Sequence, residues 1–196
     1  MRFFLDIYKF LIFYYICYNK KLVMSMEIHG YKAFNKGLTN RYGKEFEVGE
    51  TYEIIGPLKF GNDGNGFHFC ERLEDTLRYF PAMEEEIEIA EVTALGNILE
   101  YEDNYYGYYD MYCTDKIRID RVLERKEIIE MFLDKNNFRV MRFIQGFKLN
   151  PNELDLYKLI YESNMCVMDS IAYFQEGDKE VYNRRAKQKK LLVDND

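Results

Sequence analysis

Gly66-Phe67-His68-Phe69-Cys70 is the stretch whose reading decides the fold. It follows Gly61-Asn62-Asp63-Gly64-Asn65, a polar turn whose glycines are free to adopt positive φ. Phe67 and Phe69 alternate with His68 and Cys70, and a period of two predicts a strand with both phenyl rings against a core. Downstream, Leu73, Leu77 and Phe80 recur at helical spacing before Pro81, which predicts a short helix ended by the proline.

The same reading extends outward. Glu27 to Phe34 alternates and predicts a strand, with Gly30 at a bulge; Asn35-Lys36-Gly37 supplies a turn. Phe46, Val48, Tyr52, Ile54 and Ile55 read as two short strands or one bent strand, stopped by Gly56-Pro57. Ile87 to Leu95 and Lys116 to Val122 alternate most cleanly and are expected to pair antiparallel. Between them, Tyr101 to Tyr112 lacks periodicity and reads as an extended loop or hairpin tip. Beyond Glu124 the spacing turns helical, over 126–133, from Pro151 onward, over 167–174 and over 179–192. The expected class is α+β: a small antiparallel sheet with one short helix, followed by a helical C-terminal extension. Three parts are expected: an apolar N-terminal extension (1–25), a β-rich domain (26–123) and a helical extension (124–196).

Composition narrows the function classes. The chain has 196 residues, 47% of them hydrophobic, enough to build a core. The excess of Tyr and Phe over absent Trp fits an AT-rich coding sequence as well as any function. A formal net charge of -7 repels nucleic acid and anionic membrane at long range, so no strong nucleic-acid signal remains. Cys17, Cys70, Cys113 and Cys166 are scattered without CxxC spacing; that suits a reducing compartment, and the host-cell cytoplasm is the expected location. The apolar run over residues 3–18 is interrupted by Asp6 and Lys9 and is too short to span a bilayer. It reads as a buried or amphipathic helix, as a weak interfacial anchor, or as sequence upstream of a true start at Met24 or Met26.

Four spaced motifs carry a family resemblance: Tyr31-Lys32-Ala33-Phe34, Phe46-Glu47-Val48-Gly49-Glu50-Thr51-Tyr52, Gly66 to Cys70, and Thr114-Asp115-Lys116-Ile117. Together they resemble a small uncharacterised domain that recurs in prophage and large-virus proteins, over about residues 31–123. The resemblance implies a viral or prophage-type protein and carries no reaction with it.

Candidate chemistry is sparse. His68 and Cys70, two apart on a strand, share a face but rarely aim their reactive atoms at one another, so they are expected to line a wall rather than form a nucleophile–base dyad. A weak resemblance to the ADP-ribosyltransferase layout implies that His29 and Tyr31 on a first strand would hold NAD near His68. Glu91 or Glu100 would then steady the developing oxocarbenium charge. Two histidines and dispersed cysteines give no metal-ligand spacing. Glu84-Glu85-Glu86 reads as a solvated edge. The leading expectation is an interaction module without catalysis or cofactor, binding a protein partner through Tyr105, Tyr106, Tyr108 and Tyr109. The basic tail, Arg184, Arg185 and Lys187, offers a second contact surface.

Overall fold

The structure, a computed structural model, describes residues 22–23, 27–60, 64–79, 87–101 and 111–184. It is α+β. The described residues form one eight-stranded sheet: β1 (Leu22–Val23), β2 (Ile28–Asn35), β3 (Thr51–Glu53), β4 (Phe67–Cys70), β5 (Ile87–Ala94), β6 (Ile98–Tyr101), β7 (Met111–Thr114) and β8 (Lys116–Val122). Their order across the sheet is β1-β6-β7-β4-β2-β5-β8-β3. One helix, α1 (Leu73–Tyr79), follows β4. The remaining helices come after β8: α2 (Arg125–Glu130), α3 (Asn137–Gly146), α4 (Pro151–Ile160), α5 (Met165–Ser170) and a π-helical turn at Ile171–Gln175.

The sheet is larger than the small one the sequence suggests. Tyr101, Met111 and Tyr112 belong to a β6–β7 hairpin, with Leu99 opposite Cys113 and Tyr101 opposite Met111. The rest of the segment expected to be an extended loop or hairpin tip, 102–110, lies outside the described residues. The expected antiparallel pairing of β5 with β8 is present, Ala94 opposite Ile117 and Ala90 opposite Val122. Its register shifts between Glu91 and Val92, leaving Asp120 as an extra residue on β8. Gly30 is required by close approach: a Cβ there would stand 2.4 Å from the Cys70 carbonyl oxygen and 2.8 Å from the Phe69 ring.

The chain divides into two compact units, one of Met1–Thr76 with Glu88–Val122, the other of Leu77–Ile87 with Leu123–Asp196. In the first, Phe67 (7% exposed) and Phe69 (1%) are buried with Phe34, Phe46, Val92, Ile117 and Ile119. Aromatic contacts tie the sequence motifs together: Phe46 lies 5.2 Å from Phe34, 4.7 Å from Tyr52 and 6.1 Å from Phe67, centroid to centroid. Each fully buried ring contributes about 1.5–3 kcal/mol of transfer free energy, so these residues hold the sheet rather than decorate it.

The second unit is built on stacked rings. Phe132 stacks on Phe143 at 4.2 Å, and Phe143 on Phe147 at 4.9 Å. Two buried polar side chains there are bonded to backbone: the Tyr157 hydroxyl donates to the Ile129 carbonyl at 3.0 Å, and burial pushes its pKa far up. Gln175 donates to the Ile144 and Phe147 carbonyls and accepts from the Leu149 N–H. α4 starts on a full capping box: Asn150 accepts from the Glu153 N–H, Glu153 accepts from the Asn150 N–H, and Pro151 takes the first helical position. α3 has no counterpart in the sequence reading, although Asn136 caps it by accepting from the Arg139 N–H.

Candidate functional site

β4, β2 and β5 adjoin at the centre of the sheet, and they carry His68, His29 with Tyr31, and Glu91 respectively. Tyr31 sits opposite Cys70. The four residues do not form one cluster of bonded side chains; they fall into two environments.

The first surrounds the Phe-His-Phe-Cys strand. Lys32 donates from its Nζ to the His68 backbone carbonyl at 2.8 Å, and its ammonium lies 5.5 Å from the Phe34 ring centroid. The His68 ring packs on Phe60 at 5.4 Å, and Phe60 in turn meets Tyr101 at 5.0 Å. Cys70 is 2% exposed and packs. Gly66 holds φ at +138, and a Cβ there would fall 2.1 Å from the Cys113 Sγ, so that thiol fills the space a side chain would need.

Desolvation sets the chemistry of this group. Burial pushes the His68 imidazole down to about 4, helped by the Lys32 charge, so it is neutral at physiological pH. Burial pushes the Cys113 thiol up to about 11, which leaves it protonated and a poor nucleophile. Lys32 gains from its charged hydrogen bond, typically about 1.5–3 kcal/mol, but an ion taken from water loses several. Desolvation wins, and its pKa falls to about 8. The group is a partly buried cluster beside the core, with Lys32 and His68 half-covered, and not a thiolate–imidazolium pair.

The second environment is the opposite, polar character of β2, β5 and β8. His29 Nδ1 lies 2.9 Å from Thr93 Oγ1. Thr93, fully buried, donates to Asp120 Oδ2 at 2.6 Å. Arg118 donates through Nε to Asp120 Oδ1 at 2.6 Å and through Nη2 to Thr93 Oγ1 at 3.3 Å. The β8 bulge makes this possible. Thr93 pairs with Arg118 and Glu91 with Arg121, and the extra Asp120 between them turns toward Thr93.

Glu91 accepts from Arg121 with both oxygens, at 2.7 and 2.8 Å, a bidentate pair that occupies the carboxylate. Glu100 stands on β6 opposite Tyr112, three strands from β2. Of the expected contact residues, Arg184 donates to Asp178 within its own unit. Tyr105, Tyr106, Tyr108, Tyr109, Arg185 and Lys187 lie outside the described residues. Among the described residues no group of three His, Cys, Asp or Glu could hold a metal ion, and no helix is long and apolar enough to cross a membrane.

Sequence reasoning missed Thr93, Arg118, Asp120 and Lys32. Alternation in Lys116–Val122 already separates Arg118 and Asp120 from the core residues Ile117 and Ile119, which was the available signal. Lys32 generates a test. Its folded pKa, about 8, lies below its ordinary 10.5, so between those values the unfolded chain binds more protons and stability rises with pH. Denaturant midpoints followed from pH 7 to pH 10.5 are expected to rise for the wild type relative to Lys32→Met. Parallel profiles would show that the amine is not desolvated.

No curated protein and no solved structure matches the chain. One family model does, over residues 28–131, a range that runs from the start of β2 to the end of α2 and contains both environments. The chain therefore belongs to the family described as a domain of unknown function, DUF7666.

Proposed function

We propose that the protein works by binding a protein partner, and that α4 presents the surface. Leu156, Leu159 and Ile160 fall at i, i+3 and i+4 and are all exposed, Leu159 by 69%. Spacing of that kind makes one continuous apolar stripe. That stripe is the observation that carries the reading. The helix under it is firmly held: Tyr157 is buried, the capping box closes its first turn, and Arg125 donates to both Glu153 oxygens at 2.9 and 2.8 Å. A fixed helix spends little conformational entropy on binding.

The rim of the stripe is acidic, with Asp155 and Glu162 exposed beside it. Such a surface suits an amphipathic helix whose own apolar stripe is flanked by lysine or arginine. The tyrosines at 105–109 and the basic residues Arg185 and Lys187 remain proposed as further contacts, on their residue types alone. A host-cell cytoplasm and a viral or prophage setting are also part of the proposal. The free thiols Cys70, Cys113 and Cys166 support the first, and the motif resemblance supports the second.

Transfer of ADP-ribose from NAD is the competing reading, and the engagement of Glu91 by Arg121 speaks against it. Two outcomes separate them. Fluorescence anisotropy with a labelled model helix of leucine and lysine is expected to show binding that Leu159→Asp weakens by roughly ten-fold or more, the worth of one buried leucine. Equal affinities would remove α4 as the surface. Incubation with labelled NAD is expected to leave the protein and added acceptors unlabelled. Label transfer abolished by His29→Ala and by Glu91→Ala would replace the binding reading with an enzymatic one.

A further inference from the structure

The hydrogen-bond chain on β2, β5 and β8 fixes more than a fold. Thr93 Oγ1 has one proton and two lone pairs. The proton goes to Asp120, whose ionised carboxylate can only accept. Both lone pairs then accept, one from Arg118 Nη2 and one from His29 Nδ1. With the hydroxyl proton committed, Nδ1 must carry its own hydrogen. The neutral His29 imidazole is therefore held as the Nδ1–H tautomer, with the Nε2 lone pair unprotonated. His29 is exposed, whereas Thr93 and Asp120 behind it are buried and partly buried.

An oriented base alone is not a site; a charge-stabilising group must stand beside it. Arg118 donates to the same Thr93 oxygen as His29, so guanidinium and imidazole are held side by side on one atom. Two of its five N–H donors are used by Asp120 and Thr93, which leaves guanidinium donors for a developing negative charge.

We propose that His29 is the general base of an ester-hydrolysing site on this polar face, with Thr93 and Asp120 as positioning residues and Arg118 as the oxyanion donor. The substrate class is a small carboxylic ester. Water attacks the acyl carbon while His29 Nε2 takes one of its protons, and the carbonyl oxygen becomes an oxyanion beside Arg118. Collapse of that intermediate breaks the acyl–oxygen bond, and the leaving alkoxide takes the proton back from Nε2. Ester and water become acid and alcohol, with no other reactant. The site is independent of the α4 surface.

The test uses the full chain with p-nitrophenyl acetate and nitrogen-15 NMR of its two histidines, assigned with His29→Gln. Wild type is expected to hydrolyse the ester about ten-fold faster than His29→Gln, modest against the ~100-fold and more reached by enclosed acid–base sites. NMR is expected to place the His29 proton on Nδ1. Asp120→Asn offers Thr93 an amide donor, frees the hydroxyl proton for His29 and is expected to move the imidazole proton to Nε2 with equal loss of rate. Equal rates for wild type and His29→Gln, or a wild-type proton on Nε2, would overturn the assignment. Both readings stand even where Asp120→Asn does not fold, because His29→Gln changes an exposed side chain.

Discussion

Everything in the sheet depends on β4 being gripped from three sides. Its backbone pairs with β2 at one edge and with β7 at the other. Phe67 and Phe69 hold one face in the core, and the Lys32 ammonium is bonded to the carbonyl of His68 between them. A four-residue strand has little stability of its own. Its neighbours fix it because glycine permits two close approaches, Gly30 against Cys70 and Phe69, and Gly66 against Cys113. Any side chain at either position would push the strand away from the atoms that hold it.

The family motifs take their meaning from that arrangement. Tyr31 to Phe34 supplies the partner of Cys70, the cation on His68 and a core ring. Phe46 and Tyr52 pack on one another, while the Gly49 N–H between them donates to the Ile119 carbonyl at 2.7 Å. Thr114 stands opposite Phe67, and Ile117 is buried in the same core. These residues build the sheet. The chemistry on the polar face comes from His29, Thr93, Arg118 and Asp120, of which none stands in the two central aromatic motifs.

Much of this was legible because burial on one face writes a period of two into the chain, as in Ile87 to Ala94 and Lys116 to Val122. The hairpin tip was one of the two readings of 101–112, but the strands beside it, β6 and β7, were not legible, for the same physical reason. Tyr112, Cys113 and Thr114 are buried in succession, so both faces of the strand are covered and the inside–outside alternation disappears. His29 could be singled out by residue type, but its partner Thr93 lies 64 positions away, and Asp120, which accepts from Thr93, reaches it only through the bulge. A bulge breaks periodicity at one residue, and periodicity was the signal in use. Lys32 escaped notice because a lysine in an alternating strand normally faces water, whereas this one reaches a carbonyl inside.

Amide hydrogen exchange across Phe67 to Cys70 measures the grip on β4 directly. If the strand is locked by both neighbours and by its two rings, its hydrogen-bonded amides exchange only through global unfolding, with protection equal to the full stability of the sheet unit. Exchange of those amides at the rate of an exposed turn such as Asn40–Gly43 would contradict the account at its foundation.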